Sequence, residues 1–157
     1  MIVPVTINGK KLELEAEPKE LLIDTLRRYG YFSVKKGCSE GSCGSCTILV
    51  DGRPMKSCIM FVGQVKDREL TTVEGLGTVE NPHPLQEAFV DEAGIQCGFC
   101  IPGMLLAAEA LLKKNLDPTE EDIKFALSGN LCRCTGYVKQ IEAVKKAAKI
   151  IREEVKQ

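Results

Sequence analysis

Eight cysteines fall into two groups of four along 157 residues. Cys38, Cys43, Cys46 and Cys58 lie in the first half, and Cys97, Cys100, Cys132 and Cys134 in the second. Four disulfides in a secreted chain and metal ligands in a reducing compartment are the two readings that use so many thiols. The opening "MIVPVTINGKK" has no basic n-region, apolar h-region or small-residue cleavage site, so a cytoplasmic protein is expected. That favours ligation. Unengaged core cysteines would be scattered, whereas these are clustered four and four, the count that two four-thiolate sites require.

The need for such sites follows from size. Each half, at roughly 75 residues, buries only about 60% of its unfolded surface and is marginal alone. Metal binding is coupled to folding and would staple each half. Hydrophobic residues make up 44% and charged residues 27%, a globular balance. Twenty-one basic against 22 acidic side chains leave a net charge of −1, which points to neither nucleic acid nor an anionic membrane surface. Without an apolar run of about 18 residues, membrane insertion is not expected.

Periodicity divides the chain. In "PVTINGKKLELEA", Asn8-Gly9 between alternating runs predicts a type I′ hairpin. Pro18 is expected to open a helix through "PKELLIDTLRRYG", with Leu21, Leu22 and Leu26 inward and Gly30 as its stop. A second hairpin is expected around Asp51-Gly52 and a closing strand over Leu70 to Val73. Together these give a small mixed sheet with a helix across it. The breaker cluster Asn81 to Pro84 marks the boundary, and helical segments follow. One of these, "DPTEEDIKFALSGN", carries a capping pattern with Asp117 as N-cap, Pro118 first and Glu120 third. In the last helix, Tyr137, Ile141, Val144, Ala148, Ile151 and Val155 form the expected core stripe.

In "GCSEGSCGSC", Cys38, Cys43 and Cys46 stand as C-x4-C-x2-C, with Cys58 beyond, the plant-type [2Fe–2S] spacing. A loop curled around a cluster points thiolates and N–H groups inward and leaves no room for side chains there. Gly37, Gly41 and Gly44 are expected to supply that clearance and the unusual φ angles. Zinc sites show two separated C-x2–4-C pairs, which this loop fits poorly. A Rieske centre would need two histidines, and the only one, His83, sits in the linker and reads as a plain loop residue.

Cys97 and Cys100 form "QCGFC" just before a helix opened by Pro102. A thioredoxin-type motif would need a preceding buried strand, which "DEAGI" does not offer. In an extended "CRC", Cys132 and Cys134 would face one side and Arg133 the other. Joined to Cys97 and Cys100 they make a second four-thiolate site, whose spacing alone leaves iron–sulfur and zinc both open.

The combination of "GCSEGSCGSC", "QCGFCIPGM" and "GNLCRCTGY" resembles the iron–sulfur subunit of the molybdenum hydroxylase (xanthine oxidase) family over essentially the whole chain. The resemblance implies an α+β architecture. An N-terminal β-grasp, plant-type ferredoxin-like domain would span 1–77, a linker 78–83 and a C-terminal four-helix domain 84–157, each domain holding one [2Fe–2S] cluster. Cys38, Cys43, Cys46 and Cys58 would bind the cluster toward the flavin. Cys97, Cys100, Cys132 and Cys134 would bind the one nearer molybdenum. Gln96 matches the glutamine that hydrogen-bonds the molybdopterin, and Cys134 the ligand whose region also touches the pterin. With no G-x-G-x-x-G fingerprint and no room for a molybdenum or FAD domain, the chain would work beside a molybdopterin-binding large subunit and an FAD-binding medium subunit. Its task would be electron transfer, with no acid, base or nucleophile acting on substrate. A free-standing ferredoxin-like carrier is the alternative, one that would need neither Gln96 nor an apolar patch around "IPGM". A zinc-stapled interaction protein would be colourless and iron-free.

Overall fold

The computed structural model describes residues 1–156, beginning with the hairpin of β1 (Ile2–Ile7) and β2 (Lys10–Glu15). Asn8 and Gly9 turn it with φ of 51° and 77°, the left-handed pair that a type I′ turn requires. Val3, Val5 and Ile7 alternate inward from β1.

Helix α1 is Leu22–Arg28, four residues later than Pro18 suggests. The cause is tertiary. Leu22 N donates to Met60 O (2.8 Å) and Val62 N to Glu20 O (3.1 Å), which keeps the backbone extended through Leu21. Leu22, Ile23 and Leu26 are buried, while Leu21 is only partly so.

The second hairpin joins β3 (Thr47–Val50) and β4 (Arg53–Lys56) through Asp51-Gly52. Strand β5 is Glu69–Thr71; Val73, expected inside it, lies in a following 3-10 turn. The five strands run in the order β2-β1-β5-β3-β4, with β5 parallel to β1 and antiparallel to β3. All four residues of β3 are buried because both faces of that strand are covered. Ile48 and Val50 join the core under α1, whereas Leu49 meets Leu106 and Ala110 of the helical half.

That half comprises α2 (Pro84–Asp91), α3 (Ile101–Leu112), α4 (Glu120–Leu127) and α5 (Val138–Val155). Helix α3 is apolar nearly all round, the pattern of a buried helix. It packs on α2 and α4 on one side and on β3 on the other. The N-cap of α4 is Thr119 rather than Asp117: Asp122 N donates to Thr119 Oγ1 (3.2 Å) and Thr119 N to Asp122 Oδ2 (2.8 Å), a reciprocal capping box. In α5 the buried face is Gln140, Ala143, Val144, Ala147 and Ala148. Of the expected stripe, Val144 and Ala148 lie on this face and Tyr137, Ile141 and Ile151 pack at its edge, while Tyr137 precedes the helix at φ 71° and Val155 is exposed. His83 is no plain loop residue. Its Nδ1 accepts from Leu85 N at 3.2 Å to cap α2, and its Nε2 lies 3.4 Å from the buried carboxylate of Glu109. Among the described residues, no helix is long and apolar enough to cross a membrane.

Candidate metal centres

The first thiol group is shaped by backbone. Ser39, Gly41 and Gly44 take φ of 61°, 83° and 75°, curling residues 38–46 so that amides point at sulfur. Cys38 N donates to Cys43 Sγ (3.4 Å), while Glu40 N (3.5 Å) and Cys43 N (3.4 Å) donate to Cys38 Sγ. A hydrogen bond from the Ser42 hydroxyl, helped by those two amides, brings the Cys38 thiol down to about 5. Burial, then the neighbouring Cys46, pushes Cys58 up to about 11. Cys58 sits in a 3-10 turn after β4, where Ser57 Oγ donates to Cys46 O (2.8 Å) and sets the two cysteines side by side.

The glycines divide their work differently from the expectation. A Cβ on Gly37 would lie 2.9 Å from Cys43 Sγ and 2.6 Å from Ser45 Oγ, so this glycine does keep space beside the thiols. Gly44 instead gives clearance to the helical half, since its Cβ would lie 2.8 Å from Asn130 Cα and strike Gly129 O.

The second thiol group is assembled from two segments. Cys100 occupies the N-cap position of α3 and Cys97 lies exposed just before it. Cys132 and Cys134 follow α4 in a bent stretch, not the extended one expected, so they are not held by simple alternation. Cys132 N donates to Tyr137 Oη (2.8 Å), and Thr135 gives Cys132 Sγ both its N–H (3.5 Å) and its hydroxyl (3.1 Å). Burial raises the Cys132 thiol, but the Thr135 bonds outweigh it and bring it to about 7. Burial, then Cys132, pushes Cys100 up to about 12. A hydrogen bond with Cys97 raises Cys134.

Within each group the thiols interact chiefly two by two, Cys38 with Cys43, Cys46 with Cys58, Cys100 with Cys132, and Cys97 with Cys134, and also across these pairs, Cys58 with Cys38 and Cys134 with Cys132. Among the described residues, no three donor side chains converge on one ion position. Pairs are what a two-iron cluster takes, two thiolates to each iron. All eight thiols are free, and the N–H groups aimed at sulfur suit an anionic cluster. The donor set therefore fits two [2Fe–2S] groups.

The two sites touch through the seam between the halves. Leu131 N, next to Cys132, donates to Cys43 O at 2.8 Å. Asn130, buried, donates to Gly44 O (3.0 Å) and reaches Thr47 Oγ1 (3.4 Å), and Lys56 Nζ donates to Gly129 O. Nothing in the spacing of cysteines announces this seam; its sequence sign is Asn130 directly before the ligand segment. Gln96 is exposed beside Cys97. The patch expected at "IPGM" is not a surface, because Ile101 and Met104 are buried in the four-helix core. The exposed apolar side chains near the second group are Phe99, Leu131 and Val138.

Residues 5–72 match the family model of a 2Fe-2S iron–sulfur cluster binding domain, and residues 72–145 that of a [2Fe-2S] binding domain. The nicotinate dehydrogenase small FeS subunit of Eubacterium barkeri is 47% identical over 146 residues, covering 92% of this chain and 93% of that one. Quinoline 2-oxidoreductase from Pseudomonas putida 86 superposes with a TM-score of 0.93 at 42% identity, covering 98% of this chain and 96% of the matched chain. The aldehyde oxidoreductase of Desulfovibrio desulfuricans gives 0.95 at 40% identity over 98% of this chain, which spans only 17% of that longer one.

Proposed function

Because the chain belongs to the family of small iron–sulfur subunits of molybdenum hydroxylases, we propose that it relays electrons from a molybdopterin site in a large partner subunit toward an FAD-binding subunit. It is an electron-transfer subunit of an oxidoreductase, with two 2Fe-2S binding domains. The proposed limits of these are 1–77 and 84–157, joined by 78–83; one main apolar core in each half supports the division, although Val73 and Leu76 pack on the helical core and Leu49 meets Leu106 and Ala110 across the seam. Cys38, Cys43, Cys46 and Cys58 would hold one cluster, and Cys97, Cys100, Cys132 and Cys134 the other. When bound, a [2Fe–2S] group supplies one-electron exchange at a potential set by its hydrogen bonds, charge and exposure.

The chain's own residues do three things for that exchange. The amides of Glu40 and Cys43 and the Thr135 hydroxyl donate to ligand sulfur, which favours added negative charge. The buried sides of Cys46, Cys58 and Cys100 keep water from one flank of each group. The Leu131 N to Cys43 O bond holds a ligand segment of one group against a ligand residue of the other, a short link between the two. This bond, joining two sets of paired thiols, is the observation that carries the relay reading.

Gln96 and Cys134, both exposed, would face the pterin. A groove of about 420 Å³ between α4 and α5, lined by Leu127, Leu131, Tyr137, Val138 and Ile141, suits an apolar surface of the large subunit. Eight free thiols fit a reducing, cytoplasmic setting. The reading is tested on the purified complex. About four irons per chain (two clusters of two), two distinct EPR signals and a co-purifying large molybdenum subunit are expected. About two irons would overturn the second site, and a chain that carries both clusters but purifies alone would make it a free carrier.

A further inference from the structure

Gln140 has none of its surface exposed, on a face of α5 otherwise built from Ala143, Val144, Ala147 and Ala148. Its amide nitrogen lies 3.3 Å from Gly94 O and 3.8 Å from Cys100 Sγ, so its two N–H bonds have one acceptor each. Its Oε1 is the one buried side-chain polar atom without a partner among the described residues. Exchanging the amide nitrogen and oxygen would set Oε1 against the Gly94 carbonyl, acceptor against acceptor, so Gly94 fixes the orientation. An unpaired buried acceptor is a net loss, and an apolar side chain of similar volume would avoid it while matching its neighbours. What the buried amide supplies that Leu or Met would not is two donors, one to the Gly94 carbonyl and one aimed at a ligand sulfur.

We propose that Gln140 tunes the potential of the second centre through its N–H···S contact with Cys100. The inference rests on the reading of Cys100 as a [2Fe–2S] ligand. Reduction adds negative charge to the cluster and its sulfurs, and an N–H dipole at that sulfur, in a dry setting, stabilises the reduced form. The same amide tethers Gly94, three residues before Cys97, so it also positions the loop. Potential, unlike loop position, is what a purely structural role would leave alone.

The test is EPR-monitored potentiometry on the whole complex carrying Gln140→Leu or Gln140→Met. The reduction equilibrium of the second centre should fall about two- to tenfold, the weight of one neutral hydrogen bond. Tenfold corresponds to about 59 mV for one electron. The first centre's midpoint should stay fixed and serves as the internal reference. An unmoved second midpoint would overturn the proposal. So would loss of the second signal in both variants, which would make Gln140 a packing residue. A parent complex with a single EPR-active centre would instead overturn the two-centre reading, and this inference with it.

Discussion

Three thiols of the first group lie between positions 38 and 46, whereas the second group joins Cys97 and Cys100 to Cys132 and Cys134 across the whole of α3 and α4. The first is preshaped by local backbone, through left-handed residues and amides that bond to sulfur within the loop itself. The second exists only when helices pack. Its pairs, Cys100 with Cys132 and Cys97 with Cys134, each bring together one residue from either side of the α3–α4 hairpin. The contrast separates two ways of building the same donor set: one that tolerates a disturbed core, and one that is as stable as the core beneath it. Variants that strike the shared seam, one core only, or neither put that contrast under load.

The largest effect is expected at the seam. Gly44→Ala adds a Cβ at φ +75°, against the backbone of Gly129 and Asn130. Strain and overpacking each cost about 1–3 kcal/mol, and the obstacle is backbone running straight into Cys132. Both EPR signals should be lost or broadened and the thermal midpoint should drop. Gly52→Ala has the same φ with nothing within 4 Å, so it carries the strain without the clash and should keep both signals. Equal damage from the two would show that left-handed backbone alone matters and that the seam does not.

The next variant addresses one core. Phe89 is fully buried in α2, and Gly94 N donates to its carbonyl at 2.9 Å, tying α2 to the loop before Cys97. Phe89→Ala should cost about 3–5 kcal/mol. The second EPR signal should weaken or vanish while the first survives. Loss of both would mean that the halves stand or fall together, and the contrast between local and assembled sites would collapse into one cooperative unit.

These expectations show where sequence was a sufficient guide. The first loop was legible because its geometry is written in spacing: three cysteines with glycines between, and two hairpin turns at Asn8-Gly9 and Asp51-Gly52 whose dipeptides demand left-handed backbone. The four helices were legible from period and breakers. What stayed hidden depends on contacts between distant segments. The late start of α1 follows from the 60–62 segment bonding to residues 20 and 22. His83 looked idle because its partner, Glu109, is a helix away. Gln140 is hidden because an apolar stripe marks the core face of α5 without it, and only its contacts with Gly94 and Cys100 hold a glutamine there. The exposed patch assigned to "IPGM" failed for a related reason, since apolar residues at the start of a central helix belong to the core before they belong to a surface.

The smallest effect should come from a site that stabilises α4 without reaching either thiol group. Thr119 caps the N-terminal end of that helix, while the segment leading to Cys132 leaves from its C-terminal end. Removing an N-cap hydroxyl costs about 0.5–2 kcal/mol. Thr119→Ala should sit near the low end, because the returning bond from residue 119 N to Asp122 Oδ2 uses the backbone and survives. At this chain length each kcal/mol moves the thermal midpoint by about 2–4 °C. A drop of a few degrees with both EPR signals unchanged is expected. If the second signal faded instead, the assembled site would be reading the stability of α4 along its whole length, and its dependence on packing would extend a full helix further than the contacts of Asn130 and Leu131 require.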